Sequence, residues 1–227
     1  MKTSVVAFLS IVLCSTVSHA QVIRAGVNAA NISITNDGDV DENKFLASFQ
    51  VGFTGDVKIT KFLYFQPGIL FTGKGSKTES GQKTDATYYR ATTNPYYAEI
   101  PLNIVFKTPN EKKGPRFFAG AGAYLGVGVA GRNKTEGKLL GVAFKSESDI
   151  EWSNDDPGTL DYEEGAGYGI MKRFDYGINL LTGIETKHAV IGLGYGHGLA
   201  KLQSGSNSSA DDKNKHRVLS LTVGVKL

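Results

Sequence analysis

Beyond its first twenty residues the chain has no apolar run long enough for a transmembrane helix, which takes about 20 residues, and its single cysteine, Cys14, lies within those twenty. A disulfide framework is therefore excluded, and so is any zinc site built on cysteine spacing. Histidine is scarce, at four, and His19 belongs to the same leading segment. No glycine-rich loop opens a helical pattern, so there is no phosphate-binding motif. The 25 basic and 22 acidic residues nearly cancel, without the basic stripe of a nucleic-acid binder, so no nucleic-acid partner is expected. Glycine and aromatic residues are abundant instead, with 28 Gly, 12 Phe and 10 Tyr.

The leading segment reads as a secretory signal. Lys2 is basic, Val5 to Leu13 is a short apolar run, and Ser18-His19-Ala20 supplies small residues where a signal peptidase reads. The expected organisation is residues 1–20 as a cleaved signal peptide and 21–227 as one domain. Cys14 follows Leu13 rather than a small residue, which argues against a lipoprotein.

From Gln21 onward, alternation of period two recurs eight times. It is clearest at the end of the chain, where Leu219, Leu221, Val223, Val225 and Leu227 share one side, and Val218, Ser220, Thr222, Gly224 and Lys226 the other. Upstream, Phe45, Ala47, Phe49, Val51 and Phe53 alternate with Ser48, Gln50, Gly52 and Thr54, and Ile100, Leu102, Ile104 and Phe106 with Glu99, Asn103 and Lys107. Each segment is long enough for a tilted strand to cross a bilayer, about 9–11 residues. Connections alternate long and short, with long polar ones near residues 35–44, 75–94, 131–171 and 203–215. These features predict an all-β fold: an eight-stranded antiparallel transmembrane β-barrel of the cell outer membrane, with short periplasmic turns, long external loops and both termini periplasmic. Pro67 and Pro101 cannot donate to a ladder, so a bulge is expected at each. Leu139 to Phe144, within the longest loop, is apolar enough to prolong the fifth strand or form a hairpin. That loop carries nine acidic residues against four basic ones and the sole tryptophan, Trp152.

At eight strands a barrel interior is just wide enough for side chains to fill. The residues predicted to point inward include Arg24, Asp56, Glu99, Lys107, Arg116, Arg173, Asp175 and Glu185. Both signs are present, so these charges can neutralise one another in a filled lumen; a narrow charged conduit is the alternative. The inward glycines of the fifth and seventh strands either leave a cavity or make room for Tyr64, Tyr97 and Tyr124.

Evidence for catalysis is thin. His197 and His216 approach the outer end of adjacent strands on different sides, near Ser204, Ser206, Ser208 and Ser209, as a lipid hydrolase would need. Generic loop serines explain the pattern better, and no catalytic residue is assigned. Asp37, Asp39 and Asp41 alternate as in a calcium loop, but Glu42 and Ser48 stand where an EF-hand needs glycine and glutamate. Asp155, Asp156, Glu163 and Glu164 could share divalent cations with lipopolysaccharide. No metal site and no cofactor are assigned.

The chain resembles the PorT-like outer-membrane β-barrel family, often labelled porin family proteins. The matching pieces are Arg24-Ala25-Gly26-Val27-Asn28, Phe65-Gln66-Pro67-Gly68-Ile69-Leu70-Phe71, Tyr97-Ala98-Glu99-Ile100-Pro101-Leu102, the run Gly192 to Leu199, and the terminal strand. The resemblance spans residues 21–227 and implies an eight-strand barrel without known catalytic residues. The expected function is a non-enzymatic barrel acting through its external loops in surface interaction or envelope structure. Alternatives are a narrow porin-like channel for small solutes and a lipid-modifying hydrolase. Expected partners are outer-membrane lipids and lipopolysaccharide, the barrel-insertion machinery during biogenesis, and an external ligand that the sequence does not identify.

Overall fold

The computed structural model describes residues 21–33, 35–36, 39–40, 45–109, 114–152, 170–202 and 215–227. The expected signal peptide lies outside them. Eight long strands carry the fold: β1 (Gln21–Ser33), β2 (Leu46–Gly55), β3 (Leu63–Gly73), β4 (Tyr88–Lys107), β5 (Arg116–Leu139), β6 (Phe174–Glu185), β7 (Ala189–Gly198) and β8 (Lys215–Lys226). Each pairs antiparallel with its chain neighbours, and β8 returns to β1. The result is an eight-stranded antiparallel β-barrel whose ring has no free edge.

The alternation sets the two faces. Val27 of β1, Leu221 of β8 and Leu193 of β7 pair laterally across three strands and are 63, 48 and 52% exposed. In water such a continuous apolar belt would be an aggregation site; against hydrocarbon it is the stable arrangement. Aromatic groups bracket the belt. Phe49, Phe71 and Tyr96 cluster at 5.5–6.0 Å near one end, and Phe62 meets Phe106 at 6.0 Å near the other. Phe62 and Phe71 are separated by nine residues of extended chain, roughly 30 Å of strand. With a strand tilt of about 40° this is about 23 Å along the axis, close to the height of a lipid-facing band, about 25 Å. Leu221 lies near the middle of that band, so Leu221→Arg is expected to destabilise the barrel by about 2–4 kcal/mol in urea unfolding from lipid bilayers. An unchanged midpoint would show that the belt does not face lipid.

Threonines shape two of the short turns. The Phe62 and Leu63 N–H groups donate to Thr60 Oγ1, and the Ala189 N–H donates to Thr186 Oγ1. The prolines do not cause the expected bulges. The β3–β4 ladder lapses after Pro67↔Leu102 and resumes in the same register at Leu70↔Glu99. The register shift falls instead between Tyr96 and Tyr97, opposite Ala130 and Gly128, which leaves Val129 as the extra residue on β5.

The loop expected at 75–94 is mostly strand. Ser76–Ser80 pairs with the start of β4, while β4 and β5 run 20 and 24 residues and continue past the barrel. Val142–Asp149 folds back on β5 through a two-residue turn at Leu140-Gly141, both at positive φ. This is the hairpin that the Leu139–Phe144 pattern allowed. Polar sequence hid these strands, because their ladder is stitched by charge: Arg90 reaches Glu79 at 2.5 Å and Glu136 at 2.8 Å across three strands.

Candidate functional site: the barrel lumen

The inward residues of β4 act as a depth gauge. From the loop end to the turn end they are Tyr97, Glu99, Pro101, Asn103, Val105 and Lys107, all buried. Each marks a layer across the bore, about 6–7 Å from the next along the strand.

At the loop end the bore is capped. Ile32, Ile150, Met171 and Leu202 form a buried apolar cluster with Trp152 packed against it. The Trp152 indole stands edge-on to Tyr97 at 5.6 Å, and a Cβ on Gly128 would overlap the indole ring. The glycine of β5 is thus the socket for the tryptophan. Tyr97 also meets the buried His216, with its hydroxyl 3.3 Å from Nε2.

Beneath the cap lies an ion triad. Lys74, just past β3, sends Nζ to Glu99 at 2.6 Å and to Asp175 at 2.9 Å, and sits 3.8 Å from the centroid of the Tyr124 ring. The Tyr124 hydroxyl is 3.2 Å from Asp175, and the ring needs the bare backbone of Gly177 beside it. Next comes a cavity of about 80 Å³, bordered by Arg24, Gln50, Asn103, Asn179, Ser220 and the glycines of β7. The glycine beside Tyr124, Gly177, belongs to β6; of the inward glycines of the fifth and seventh strands, Gly126 lies beside the Tyr97 ring and Gly128 takes the Trp152 indole, while Gly192, Gly194 and Gly196 border the cavity. Val22, Val105, Phe118 and Val190 form an apolar layer below it.

A second ion layer closes the turn end. Lys107 pairs with Asp56 and with Glu185, and Lys226 reaches Glu185 at 2.6 Å. Arg116 lies 3.8 Å from Glu185 and donates to the Tyr64 hydroxyl, while Gln66 donates to Asp56 at 2.8 Å.

The structure thus gathers Asp56, Lys107, Arg116 and Glu185 in one layer, places Glu99 and Asp175 in another, and sets Arg24 on the cavity between them. Arg173 departs from the sequence expectation: it is exposed immediately before β6, where the bore has ended. Lys74 and Lys226 went unrecognised as partners. Lys74 carries the inward parity of Gln66 and Thr72 two residues further on, past the apparent end of β3, and Lys226 lies on the polar side of β8.

His216 is buried beside Tyr97, whereas His197 lies on the outer side near Tyr195, at 6.2 Å. Ser204, Ser206, Ser208 and Ser209 lie outside the described residues. So do Asp37, Asp41, Asp155, Asp156, Glu163 and Glu164, the remaining acidic candidates for cation binding apart from Asp39. Among the described residues, no three His, Cys, Asp or Glu side chains gather as a metal site.

A family model described as outer membrane protein beta-barrel domain matches residues 20–204. Three solved structures are similar. Ail, the attachment invasion locus protein of Yersinia pestis, in complex with the heparin analogue sucrose octasulfate, is 12% identical with a TM-score of 0.39, over 92% of this chain and 99% of that one. Neisserial surface protein A is 14% identical with a TM-score of 0.41, over 91% and 97%. OprG from Pseudomonas aeruginosa is 11% identical with a TM-score of 0.41, over 92% and 96%. No curated protein matches the sequence.

Proposed function

From the premise that this chain belongs to the outer membrane protein beta-barrel domain family, we propose that it is a non-enzymatic, non-conducting barrel acting through the strands and loops at its long end. In this reading the short turns and both termini are periplasmic, the signal peptide is removed on export, and the β4–β5 extension reaches outward. Its working contacts are outer-membrane lipid and lipopolysaccharide at the belt and an external partner at the extension.

The observation that carries this reading is the sequence of filled layers in the lumen. Tyr97, Tyr124, His216, Val105 and Lys107 are among the largest fully buried side chains. Ions would have to displace both the aromatic cap and two paired-charge layers to pass. Hydrolysis of membrane lipid finds little support, because the buried His216 faces the lumen and a base must reach its substrate.

The narrow-channel reading has one observation in its favour, the cavity of about 80 Å³. It is bordered by Lys74 and Glu99 toward the loop end and by Phe118 and Val190 toward the turn end. Planar-bilayer recording of the refolded chain, with folding checked by the mobility difference between boiled and unboiled samples, decides between the two readings. A folded, electrically silent protein is the expected result. Steady unitary currents altered by Glu99→Ala or Arg116→Ala would make the lumen the working site and overturn the proposal.

A further inference from the structure

The geometry points to a binding site for a small monovalent inorganic anion, of the halide class, inside the barrel at Arg24. Arg24 points inward from β1, paired with Gly224 on one side and Gly52 on the other. Neither neighbour has a side chain, so the guanidinium has room to turn into the cavity of about 80 Å³ that it borders.

The charges of the lumen are otherwise matched. Lys74 serves Glu99 and Asp175; Lys107, Lys226 and Arg116 serve Asp56 and Glu185. Arg24 is the cation left over. Among the described residues it makes no ion pair, and its Nε is buried without a hydrogen-bond acceptor. A guanidinium carries five donors and stays charged, so the buried Nε–H of Arg24, which lacks an acceptor, favours a ligand that supplies one.

Lys74 and Glu99 also border the cavity; with Asp175 their group carries one net negative charge and the Lys107 layer one net positive charge, so Arg24 leaves the lumen as a whole with one positive charge in excess. Asp56 is a carboxylate whose charge acts on Arg24, and it is already engaged by Lys107 and Gln66. Asn179, Gln50 and Ser220 add neutral donors around the same space. The volume holds a few water-sized particles. It therefore admits a halide with part of its hydration and excludes a sugar or any large organic acid. The excess positive charge of the lumen as a whole disfavours a cation. This inference concerns the lumen alone and does not rest on how the external strands act.

The test uses the full refolded chain in non-ionic detergent micelles. Urea unfolding midpoints are measured in sodium bromide and in sodium gluconate at equal ionic strength. Bromide is expected to raise the midpoint saturably, gluconate is expected not to, and Arg24→Gln is expected to lose the difference. In parallel, with 15N-labelled arginine, one Nε–H resonance is expected to move saturably with bromide. Equal midpoints in the two salts with no moving resonance, or a full bromide effect in Arg24→Gln, would overturn the site. If Arg24→Gln does not refold, the Nε–H titration of the unaltered chain decides alone.

Discussion

Replacing Lys74 with alanine is expected to lower the stability of the barrel by about 3–5 kcal/mol, the cost of removing one partner from a buried charge group. Lys74 is 3% exposed and lies 2.6 Å from Glu99 and 2.9 Å from Asp175. No other cation pairs with those two carboxylates among the described residues. Without the ammonium, two like charges share one layer of low dielectric, and the Tyr124 ring loses its cation. Equilibrium urea unfolding in lipid bilayers gives the measurement. Changing all three groups together, with Lys74→Met, Glu99→Gln and Asp175→Asn, is expected to recover most of the loss, since a neutral, well-packed replacement of a buried ion group is often close to neutral. A loss below about 1 kcal/mol in the single variant would mean that the triad is hydrated like an exposed pair.

Lys107→Ala is the second large effect, expected at about 3 kcal/mol, the lower end of the same range. The reason for the difference is redundancy. Glu185 keeps Lys226 at 2.6 Å and Arg116 at 3.8 Å, so only Asp56 is stranded, with Gln66 as its remaining donor. Asp56→Asn introduced alongside Lys107→Ala is therefore expected to restore stability, as a double-mutant cycle with strong coupling between neighbours. Lys74→Ala and Lys107→Ala are expected to add independently. Glu99 and Lys107 mark their layers on β4, eight residues apart, roughly 26 Å of strand, well beyond the range of coupling. Strong non-additivity would show that the lumen behaves as one network across the cavity.

The long strands show where reading by polarity fails. Residues 76–80 and 88–93 are hydrophilic, and hydrophilic segments between apolar strands read as loop. The segments nonetheless form ladders, because Arg90 with Glu79 and Glu136 satisfies charge across neighbouring strands. Alternation is visible in sequence only when one face is apolar. Outside the membrane both faces meet water, and the signal disappears although the strand persists.

The candidate site divides the same way. That Asp56, Glu99, Lys107, Arg116, Asp175 and Glu185 point inward followed from parity alone, since successive strand residues face opposite sides. Which of them meet did not. Asp56 and Lys107 are 51 residues apart, Lys74 and Asp175 are 101. Such partners are set by the stagger of all eight strands around the ring, a property of closure that no single segment encodes. Trp152 is a further case: its socket at Gly128 lies 24 residues away in sequence, next to the Val129 bulge and beyond the fold-back of Val142–Asp149.

Strand count, ring closure and the two faces are legible in residue order, because a bilayer leaves a chain without apolar helices one way to satisfy its backbone, and period-two hydrophobicity then decides what faces lipid. The layering of the lumen, with two separate ion groups, an aromatic cap and a cavity bordered by Arg24, emerges when the barrel closes. Side-chain partners inside a barrel are chosen by shear and register, which act across the ring rather than along the chain.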